Sequence, residues 1–200
     1  MNNTMNKETK KSLTREYFEK VYEAKDDPWD FENSRYEADK YRATLDALPL
    51  EKYDSAFEIG CSIGVLTAKL AERCKKLLAV DVSQKALNQA KKRCENLPNV
   101  KLEIMQIPKE FPPETFDLIL ISEVGYYLTE KDWQAAMKKV FAQLDSKGHV
   151  VLVHWTPLVH DYPQTGDAVH DSLAAFGTDK MQHLKSQKND NYRLDVWEKI

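Results

Sequence analysis

The residues best placed to do chemistry form a turn with two glycines and an acid that follows it in the sequence. Gly60 and Gly64 lie in the segment 58–64 (EIGCSIG), directly after a short apolar run. Gly60 permits a tight turn from a strand into a helix, and Gly64 lets that helix start close to the sheet or to a ligand. Asp81 ends the next apolar run, about 20 residues after Gly60. An acid at this spacing can accept hydrogen bonds from both hydroxyls of a ribose held over the turn.

The residues of this turn also distinguish between two kinds of nucleoside ligand. A dinucleotide-binding turn has a third glycine and holds a pyrophosphate at the start of the helix, whereas this chain has Ser62 in the middle position. Glu58 precedes the turn, and a carboxylate there would repel phosphate but attract a positively charged ligand. S-adenosylmethionine combines a ribose with an ammonium and a sulfonium, so the turn favours this ligand. The alternative is that the glycines only start a helix and contact no ligand.

Alternating strands and helices surround the turn. Apolar runs predict strands over 55–59, 76–80, 100–104, 116–121 and 149–155. Apolar stripes at helical spacing predict helices that contain Leu66 to Cys74, Leu87 to Leu97 after Ser83, and Trp133 to Leu144 after Thr129. This alternation predicts a mainly parallel sheet with helices on both faces. Ligands then bind beyond the carboxyl ends of the strands, after Ile59, Val80, Ile104, Ile121 and His154.

The two ends of the chain add to this core. After a flexible tail of about ten residues, the first 50 residues predict two helices separated by a break at 26–28 and closed by Pro49. Beyond a turn over 145–148, the last part predicts a helix over 168–176 and a hairpin of segments 180–185 and 192–197. We expect one domain over 1–200, with a helical cap (1–50) and a cofactor-binding core (51–200).

Segment 58–64, Asp81 and the later run 116–119 (FDLI) together resemble a class I S-adenosylmethionine-dependent methyltransferase. The resemblance covers roughly residues 53–155. It implies a three-layer, doubly wound, Rossmann-like α/β fold whose mostly parallel seven-stranded sheet ends in an antiparallel hairpin. It also implies S-adenosyl-L-methionine as the cofactor.

A narrower resemblance extends over most of the chain. Segments 27–31 (DPWDF), 34–41 (SRYEADKY) and 122–128 (SEVGYYL) are similar to the nodulation protein S family, methyltransferases that act on the amino nitrogen of a glucosamine-containing oligosaccharide. In that family, the segment before the core caps the cofactor pocket. This chain departs from the pattern at Ser62, where glycine is usual, and at Gln106, near which an acid commonly meets the adenine amino group.

The resemblance implies which residues hold the cofactor. Trp29 and Tyr36 would belong to the cap, Met105 would pack on the adenine ring, and Gln106 would accept from its amine. Cys61 would touch the cofactor, or it is simply a small residue that the turn tolerates. The full expected set is Trp29, Tyr36, Glu58, Gly60, Cys61, Ser62, Gly64, Asp81, Val82, Met105, Gln106, Ile107 and Ser122.

Methyl transfer requires in-line alignment and little else from the protein, because the sulfonium is already activated. An amine or hydroxyl acceptor must still lose a proton. Glu123 and His154 end central strands and are the candidates to receive it, and Tyr126 lies at the expected substrate mouth. Each candidate base has a structural alternative: Glu123 as a buried loop anchor, and His154 as a packing histidine.

Composition and charge limit the classes of partner that the protein is expected to bind. The chain has 29 basic and 32 acidic residues, a net charge of -3, which argues against a nucleic-acid partner. Its apolar runs are far shorter than the ~20 residues of a membrane span, and its N-terminal residues lack signal-peptide character. Three cysteines without a C-x-x-C pair, and a polar loop over 160–171 without standard ligand spacing, predict neither disulfides nor a metal. We expect a cytoplasmic monomer or homodimer with a small-molecule or saccharide substrate.

Four functions are compatible with these residues. The leading one is an S-adenosylmethionine-dependent methyltransferase of a small or sugar-like acceptor, in particular of the amino nitrogen of an amino sugar. The others are a small-molecule O-methyltransferase, a non-catalytic S-adenosylmethionine-binding module, and a nicotinamide-dependent dehydrogenase. The missing third glycine, Glu58 and the terminal hairpin oppose the dehydrogenase, and Glu123 with its adjacent tyrosines opposes the non-catalytic module.

Overall fold

A computed structural model describes residues 10–200, so the expected flexible tail lies almost wholly outside the described residues. The sheet in this part of the chain consists of β1 (Ala56–Ile59), β2 (Leu77–Asp81), β3 (Val100–Ile104), β4 (Phe116–Ser122), β5 (Leu144–Trp155), β6 (Met181–Lys188) and β7 (Tyr192–Lys199). Their order across the sheet is β3-β2-β1-β4-β5-β7-β6. Strands β1 to β5 pair in parallel, and β7 runs antiparallel to both β5 and β6. The expected doubly wound sheet with a terminal hairpin is confirmed.

The helices are α1 (Arg15–Ala24), α2 (Arg35–Asp46), α3 (Val65–Leu70), α4 (Gln84–Arg93), α5 (Glu130–Gln143) and α6 (Gly166–Gly177). All except α3 begin at a hydroxyl side chain that accepts a hydrogen bond from the backbone three residues further on. Ser83 and Thr129 were expected to start helices, and their caps on α4 and α5 confirm it. None of the helices within residues 10–200 is long and apolar enough to cross a bilayer.

Three predicted boundaries are wrong. The helix expected to reach Cys74 ends as an α-helix at Leu70, and Cys74 instead forms an isolated parallel bridge with Tyr53. The next helix ends at Arg93, because the Cys94 N–H makes the last bond back to Ala90. The turn expected over 145–148 lies inside β5 as a bulge, between the pairs Phe116–Leu144 and Leu118–His149.

Strand β4 divides the core into its two layers. Ile119 and Ile121 pack in the cluster that contains Trp133 of α5, whereas Leu118 and Leu120 pack in the cluster on the opposite face. This strand is thus buried on both faces, as its continuous apolar run predicts. Its carboxyl end is held rigidly between β1 and β5, which makes it a firm support for functional side chains.

Candidate functional site

A cavity of about 410 Å³ lies at the carboxyl edge of the sheet, where β1, β2, β3 and β4 end. The alternation of strands and helices predicts a ligand at this edge. One wall is the glycine turn (residues 58–64) with Asp81, and the other contains the β4–α5 loop (residues 123–129). Segments from α1 to α2 also line the cavity. All the expected cofactor-binding residues except Gly64 contribute to its lining.

Gly60 cannot carry a side chain in this turn. Its φ is +84°, and a Cβ there would lie 2.2 Å from Val124 Cγ2. The N–H groups of Gly60 and Cys61 both donate to the Val80 carbonyl, at 2.8 and 2.9 Å. The turn is therefore tied to β2 and passes directly against the β4–α5 loop.

Ser62 stands where the family pattern usually has glycine, and its backbone explains that preference. Its φ is +53°, in the left-handed region that disfavours a side chain. The Ser62 hydroxyl compensates by a 2.5 Å hydrogen bond with the Tyr22 hydroxyl of α1. Gly64 also has a positive φ, +81°, but its Cβ position lies 3.0 Å from Ala90, so it serves the packing of α3 on α4 and not the cavity.

Asp81 is oriented by the turn that it faces. Its Oδ2 accepts from the Ser62 N–H at 2.9 Å, and its Oδ1 accepts from the Ser83 N–H at 2.8 Å. Burial raises the pKa of Asp81, while these backbone hydrogen bonds oppose the rise. Each oxygen retains a lone pair, so the carboxylate can also accept from ligand hydroxyls.

Glu58 offers a buried carboxylate oxygen that has no partner among the described residues. The side chain is 2% exposed, its Oε2 is unpaired, and it lines the cavity. Burial raises the pKa of Glu58 to about 7. An unpaired buried carboxylate is costly unless a ligand satisfies it. Together, Asp81 and Glu58 fit a ligand that presents ribose hydroxyls and an ammonium group.

The expected adenine end of the cavity is formed by Val82, Met105, Gln106 and Ile107. The Met105 N–H donates to the Asp81 carbonyl at 3.0 Å, which extends the pairing of β2 with β3. The Gln106 N–H donates to Glu110 Oε2 at 2.6 Å. These bonds fix the backbone at the position where the family pattern has an acid.

The N-terminal helix α1 is fastened to the core next to Asp81. Glu19 Oε1 accepts from the Gln84 N–H at 2.6 Å, and its Oε2 accepts from the Ser83 hydroxyl at 3.1 Å. Glu19 thus satisfies free donors at the start of α4. Glu19 and Tyr22 were missed from the sequence, because nothing local to α1 indicates which helix or turn it contacts.

Glu123 is held from several sides at the start of the β4–α5 loop. Its φ is +58°, and its N–H donates to the Val153 carbonyl at 2.8 Å. Its Oε2 accepts from the Trp155 N–H at 2.9 Å and from the Tyr126 hydroxyl. The candidate residues Glu123 and Tyr126 are therefore brought together at the cavity wall.

A buried lysine, missed from the sequence, completes this group. Lys40 is 2% exposed, and its Nζ donates to Glu123 Oε1 at 2.6 Å and to Glu37 Oε1 at 2.9 Å. Burial alone would lower the pKa of Lys40, but the carboxylates of Glu123 and Glu37 raise it. The only sequence signal was the segment 34–41, which belongs to the family pattern.

His154 does not line the cavity, and this corrects its expected role as a proton acceptor. The side chain is fully buried, and its Nε2 accepts from the Gly125 N–H at 2.9 Å. Burial and the neighbouring His170 hold the pKa of His154 well below its usual range. Among the described residues, the only further hydrogen-bond partner of its ring is His170, and this fully buried side chain does not reach the cavity.

The polar loop and the helix beyond β5 are held by pairs of side chains. Asp167 accepts from Lys188, and Asp171 accepts from Arg193 at 2.7 Å. Within residues 10–200, there is no group of three or more His, Cys, Asp or Glu side chains that could hold a metal ion. Cys61, Cys74 and Cys94 are free, buried thiols.

The charged residues that line the described cavity are mostly acidic. Of the lining residues within 10–200, Glu37, Glu58, Asp81 and Glu123 are acidic, and Lys40 is the one cation. Carboxylates in excess over cations stabilise a positively charged ligand and repel phosphate. The cavity thus fits the cofactor that the glycine turn predicts.

The sequence of this chain matches a known protein family. The family model described as nodulation protein S (NodS) matches residues 8–155. Curated proteins of that name are similar, with 29% identity over 130 residues in Rhizobium tropici and 32% over 126 residues in Bradyrhizobium diazoefficiens. These alignments cover 64% and 60% of this chain, but only 55% and 59% of the relatives, so the chain spans little more than half of their length.

Solved structures share this fold over most of the chain. A candidate methyltransferase from Pseudomonas syringae is 35% identical, with a TM-score of 0.73 over 83% of this chain and 100% of the other. The N-methyltransferase NodS from Bradyrhizobium japonicum WM9, solved with S-adenosyl-L-homocysteine, has a TM-score of 0.80 at 23% identity over 94% of this chain and 99% of the other.

Proposed function

The chain belongs to the nodulation protein S family, and from this premise we propose that it is an S-adenosyl-L-methionine-dependent methyltransferase whose acceptor is an amino nitrogen of a small or sugar-like molecule. The observation that carries the proposal is the acidic cavity at the end of β1 and β2. The unpaired Oε2 of Glu58 suits an ammonium, and Asp81 suits the two ribose hydroxyls. A dinucleotide would bring phosphates to the same acidic wall, which disfavours a dehydrogenase.

The bound cofactor supplies a methyl group that its positive sulfur already activates. The protein's part is to bind, to orient and to exclude water. Glu58 would hold the ammonium of the cofactor and Asp81 its ribose hydroxyls. Gly60, at which a Cβ would lie 2.2 Å from Val124 Cγ2, lets the turn lie directly against the β4–α5 loop. Trp29 and Tyr36 of the N-terminal segment line the cavity, which supports the proposal that this segment caps the cofactor.

Glu123 is the group that meets the acceptor amine. Within residues 10–200, its Oε2 has two partners, whereas its Oε1 has Lys40 alone and keeps a lone pair. An amine N–H that donates to this oxygen is oriented with its own lone pair free to attack, and its proton can pass to the carboxylate. Tyr126 holds Glu123 in place through its hydroxyl.

The first test compares two oligosaccharides that differ only in whether their amino groups are free or acetylated. Methyl transfer is measured to a fully deacetylated glucosamine oligosaccharide and to the fully N-acetylated oligosaccharide of the same length. We expect methylation of the deacetylated sugar alone, on nitrogen, as located by tandem mass spectrometry. Methylation of a hydroxyl in either sugar would replace the proposal with an O-methyltransferase.

Calorimetry with S-adenosylhomocysteine separates the remaining functions. We expect binding of this ligand and no binding of NAD. Binding without methyl transfer to any amine of a broad panel would indicate the non-catalytic module, and absence of binding would overturn the assignment of the cofactor.

The variant Glu123→Gln tests the role of the carboxylate. We expect turnover to fall about 100-fold, the ordinary contribution of a positioned proton acceptor, while the Kd of S-adenosylhomocysteine stays within about twofold because the cofactor wall is untouched. The matched control is Glu130→Gln at the exposed start of α5, for which turnover is unchanged. Unchanged turnover in Glu123→Gln would show that Glu123 is only a loop anchor.

A further inference from the structure

A buried chain of side chains runs from the β4–α5 loop to the last strand of the sheet. The Gly125 N–H lies 2.9 Å from His154 Nε2, and His154 Nδ1 lies 3.1 Å from His170 Nε2. His170 Nδ1 in turn lies 2.6 Å from Asp195 Oδ2. His154, His170 and Asp195 are each 0% exposed. The chain thus connects β5, α6 and β7 without contact with water.

The Gly125 N–H, the first group of the chain, determines which atom donates in every hydrogen bond that follows. A backbone N–H can only donate, so His154 Nε2 must be an acceptor without a proton. The proton of neutral His154 then lies on Nδ1 and is donated to His170 Nε2. His170 must therefore carry its own proton on Nδ1, where it donates to the Asp195 carboxylate.

Asp195 is equipped to remain the terminal acceptor. Its Oδ2 also accepts from Arg193 Nε at 2.7 Å, and its Oδ1 lies 3.1 Å from His183 Nε2. Although burial would raise it, hydrogen bonds from His170 and other neighbours hold the pKa of Asp195 below its usual range. Arg193 is fixed by Asp171 at 2.7 Å, so the charge at the end of the chain is itself oriented.

The other end of the chain determines where the loop lies. Gly125 is fitted closely there, because a Cβ would lie 2.5 Å from Val169 Cγ1. Three consecutive residues of β5 hold the loop: the Val153 carbonyl and the Trp155 N–H bind Glu123, and His154 binds Gly125 between them. Displacement of Gly125 would move both Glu123 and Tyr126.

We propose that His154, His170 and Asp195 are positioning residues. Each group donates a hydrogen bond to the next, from the Gly125 N–H to Asp195, and this chain of bonds fixes Gly125 and thereby the positions of Glu123 and Tyr126 at the cavity. None of the three touches the cavity. Their effect on turnover rests on the proposed function, but their effect on the loop does not.

The first test uses the unmodified protein and needs no substrate. Two-dimensional ¹⁵N NMR of the histidine rings reports which nitrogen carries the proton. We expect His154 and His170 both to be neutral with the proton on Nδ1, the less common form of free histidine. A proton on Nε2 of either ring, or on both nitrogens of His154, at neutral pH would overturn the proposal.

The second test measures amide exchange of the loop peptide in three variants. His154→Leu removes the acceptor for Gly125, whereas His154→Gln keeps a side-chain carbonyl that can accept this bond. The control His149→Gln alters another buried histidine of β5, which pairs with Tyr53 and not with the loop. We expect exchange of the Gly125 amide to rise about tenfold in His154→Leu, the value of one lost hydrogen bond, and to stay near the unmodified rate in the other two.

Equal exchange in all variants would overturn the proposal, and so would a rise in His149→Gln as large as that in His154→Leu. If His154→Leu does not fold, the ring tautomers of the unmodified protein decide the matter. With an active acceptor, His154→Leu should lower kcat about tenfold and leave the Kd of S-adenosylhomocysteine within about twofold. His154→Gln should restore most of that kcat. Failure of this last measurement alone, with the tautomers and exchange as expected, would place the fault in the proposed function.

Discussion

The glycine turn and the β4–α5 loop form two adjoining walls of one cavity, but they are built in different ways. The turn is held through its own backbone: the Gly60 and Cys61 N–H groups donate to the Val80 carbonyl, and the Ser62 N–H donates to the Asp81 carboxylate. The loop is held by backbone groups of β5 and, in addition, by side chains from distant parts of the sequence, of which Lys40 is 83 residues from Glu123. One wall therefore depends on backbone conformation, and the other on buried charges and hydrogen bonds.

This difference has a chemical purpose in the proposed reaction. A turn made of backbone can present an unchanging surface to the constant part of the cofactor. A loop made of side chains can be altered by single substitutions without rebuilding the sheet, which suits the wall that faces the acceptor. Substitutions in the two walls should accordingly fail in different ways.

The largest effect is expected in the loop wall, from Lys40→Met. The variant keeps the length of the side chain but leaves the Glu37 and Glu123 carboxylates buried without their cation. Loss of one partner of a buried ion pair typically costs about 3–5 kcal/mol. Urea unfolding should report a decrease of this size in the free energy of unfolding.

The control is Lys75→Met, whose salt bridge with Asp54 is exposed on both sides. Exposed pairs contribute about 0–1 kcal/mol, so this variant should unfold close to the unmodified protein. If Lys40→Met were equally mild, the loop would not depend on its buried charges, and the contrast between the walls would be lost.

The glycine turn was predictable from sequence because all its parts are close together. Gly60, Gly64 and Asp81 lie within one strand-turn-helix-strand unit, where pairing of adjacent parallel strands brings them to one edge. The order of elements and the terminal hairpin followed from apolar periodicity in the same way. Only the boundaries failed, where a local bulge or an early helix end departs from the pattern.

The loop wall was only half predictable. Glu123 and Tyr126 were found because they follow a central strand. The contact of Lys40 with Glu123 depends on how α2 packs on the core, and the orientation of His154 depends on its contact with His170 of α6. Position at a strand end does not tell whether a side chain points into the cavity or into the core. His154 points into the core, toward α6 and β7, which no local pattern indicates.

In the turn wall, Gly60→Ala should have the next largest effect. A left-handed backbone costs a non-glycine residue about 1–2 kcal/mol, and the clash with Val124 adds overpacking of about 1–3 kcal/mol. We expect lower stability in thermal unfolding and loss of S-adenosylhomocysteine binding in calorimetry. The double variant Gly60→Ala/Val124→Ala removes the clash and should recover only the stability lost to overpacking. The comparison separates this loss from the cost of the left-handed backbone.

The pH dependence of Glu58 tests the turn wall through its charge. The Glu58 pKa rises from 4.5 to about 7 on folding, so the folded protein retains a proton that the unfolded chain has lost between these values. Stability without ligand should therefore fall as pH rises from 4.5 to about 7, and level off above.

Cofactor affinity should show the opposite trend, because an ammonium binds the ionised carboxylate. Below the Glu58 pKa, the affinity should fall by about tenfold for each pH unit. Glu58→Gln should remove the dependence from both stability and affinity. A Kd of the unmodified protein that is constant between about pH 6 and 8 would show that Glu58 does not meet the ammonium.

The smallest effect is expected at Ser62, where the turn wall depends on one side chain. Ser62→Ala loses the Tyr22 hydrogen bond and keeps the strained φ of +53°, whereas Ser62→Gly loses the bond but relieves the strain. We expect the glycine variant to be more stable than the alanine variant by about 1 kcal/mol. At Ser172, in the middle of α6, the same pair of substitutions should have the reverse order, because alanine is favoured over glycine in a helix by about 1 kcal/mol. If alanine were also the better residue at position 62, the strain at this position would be negligible, and the turn wall would not depend on this backbone conformation.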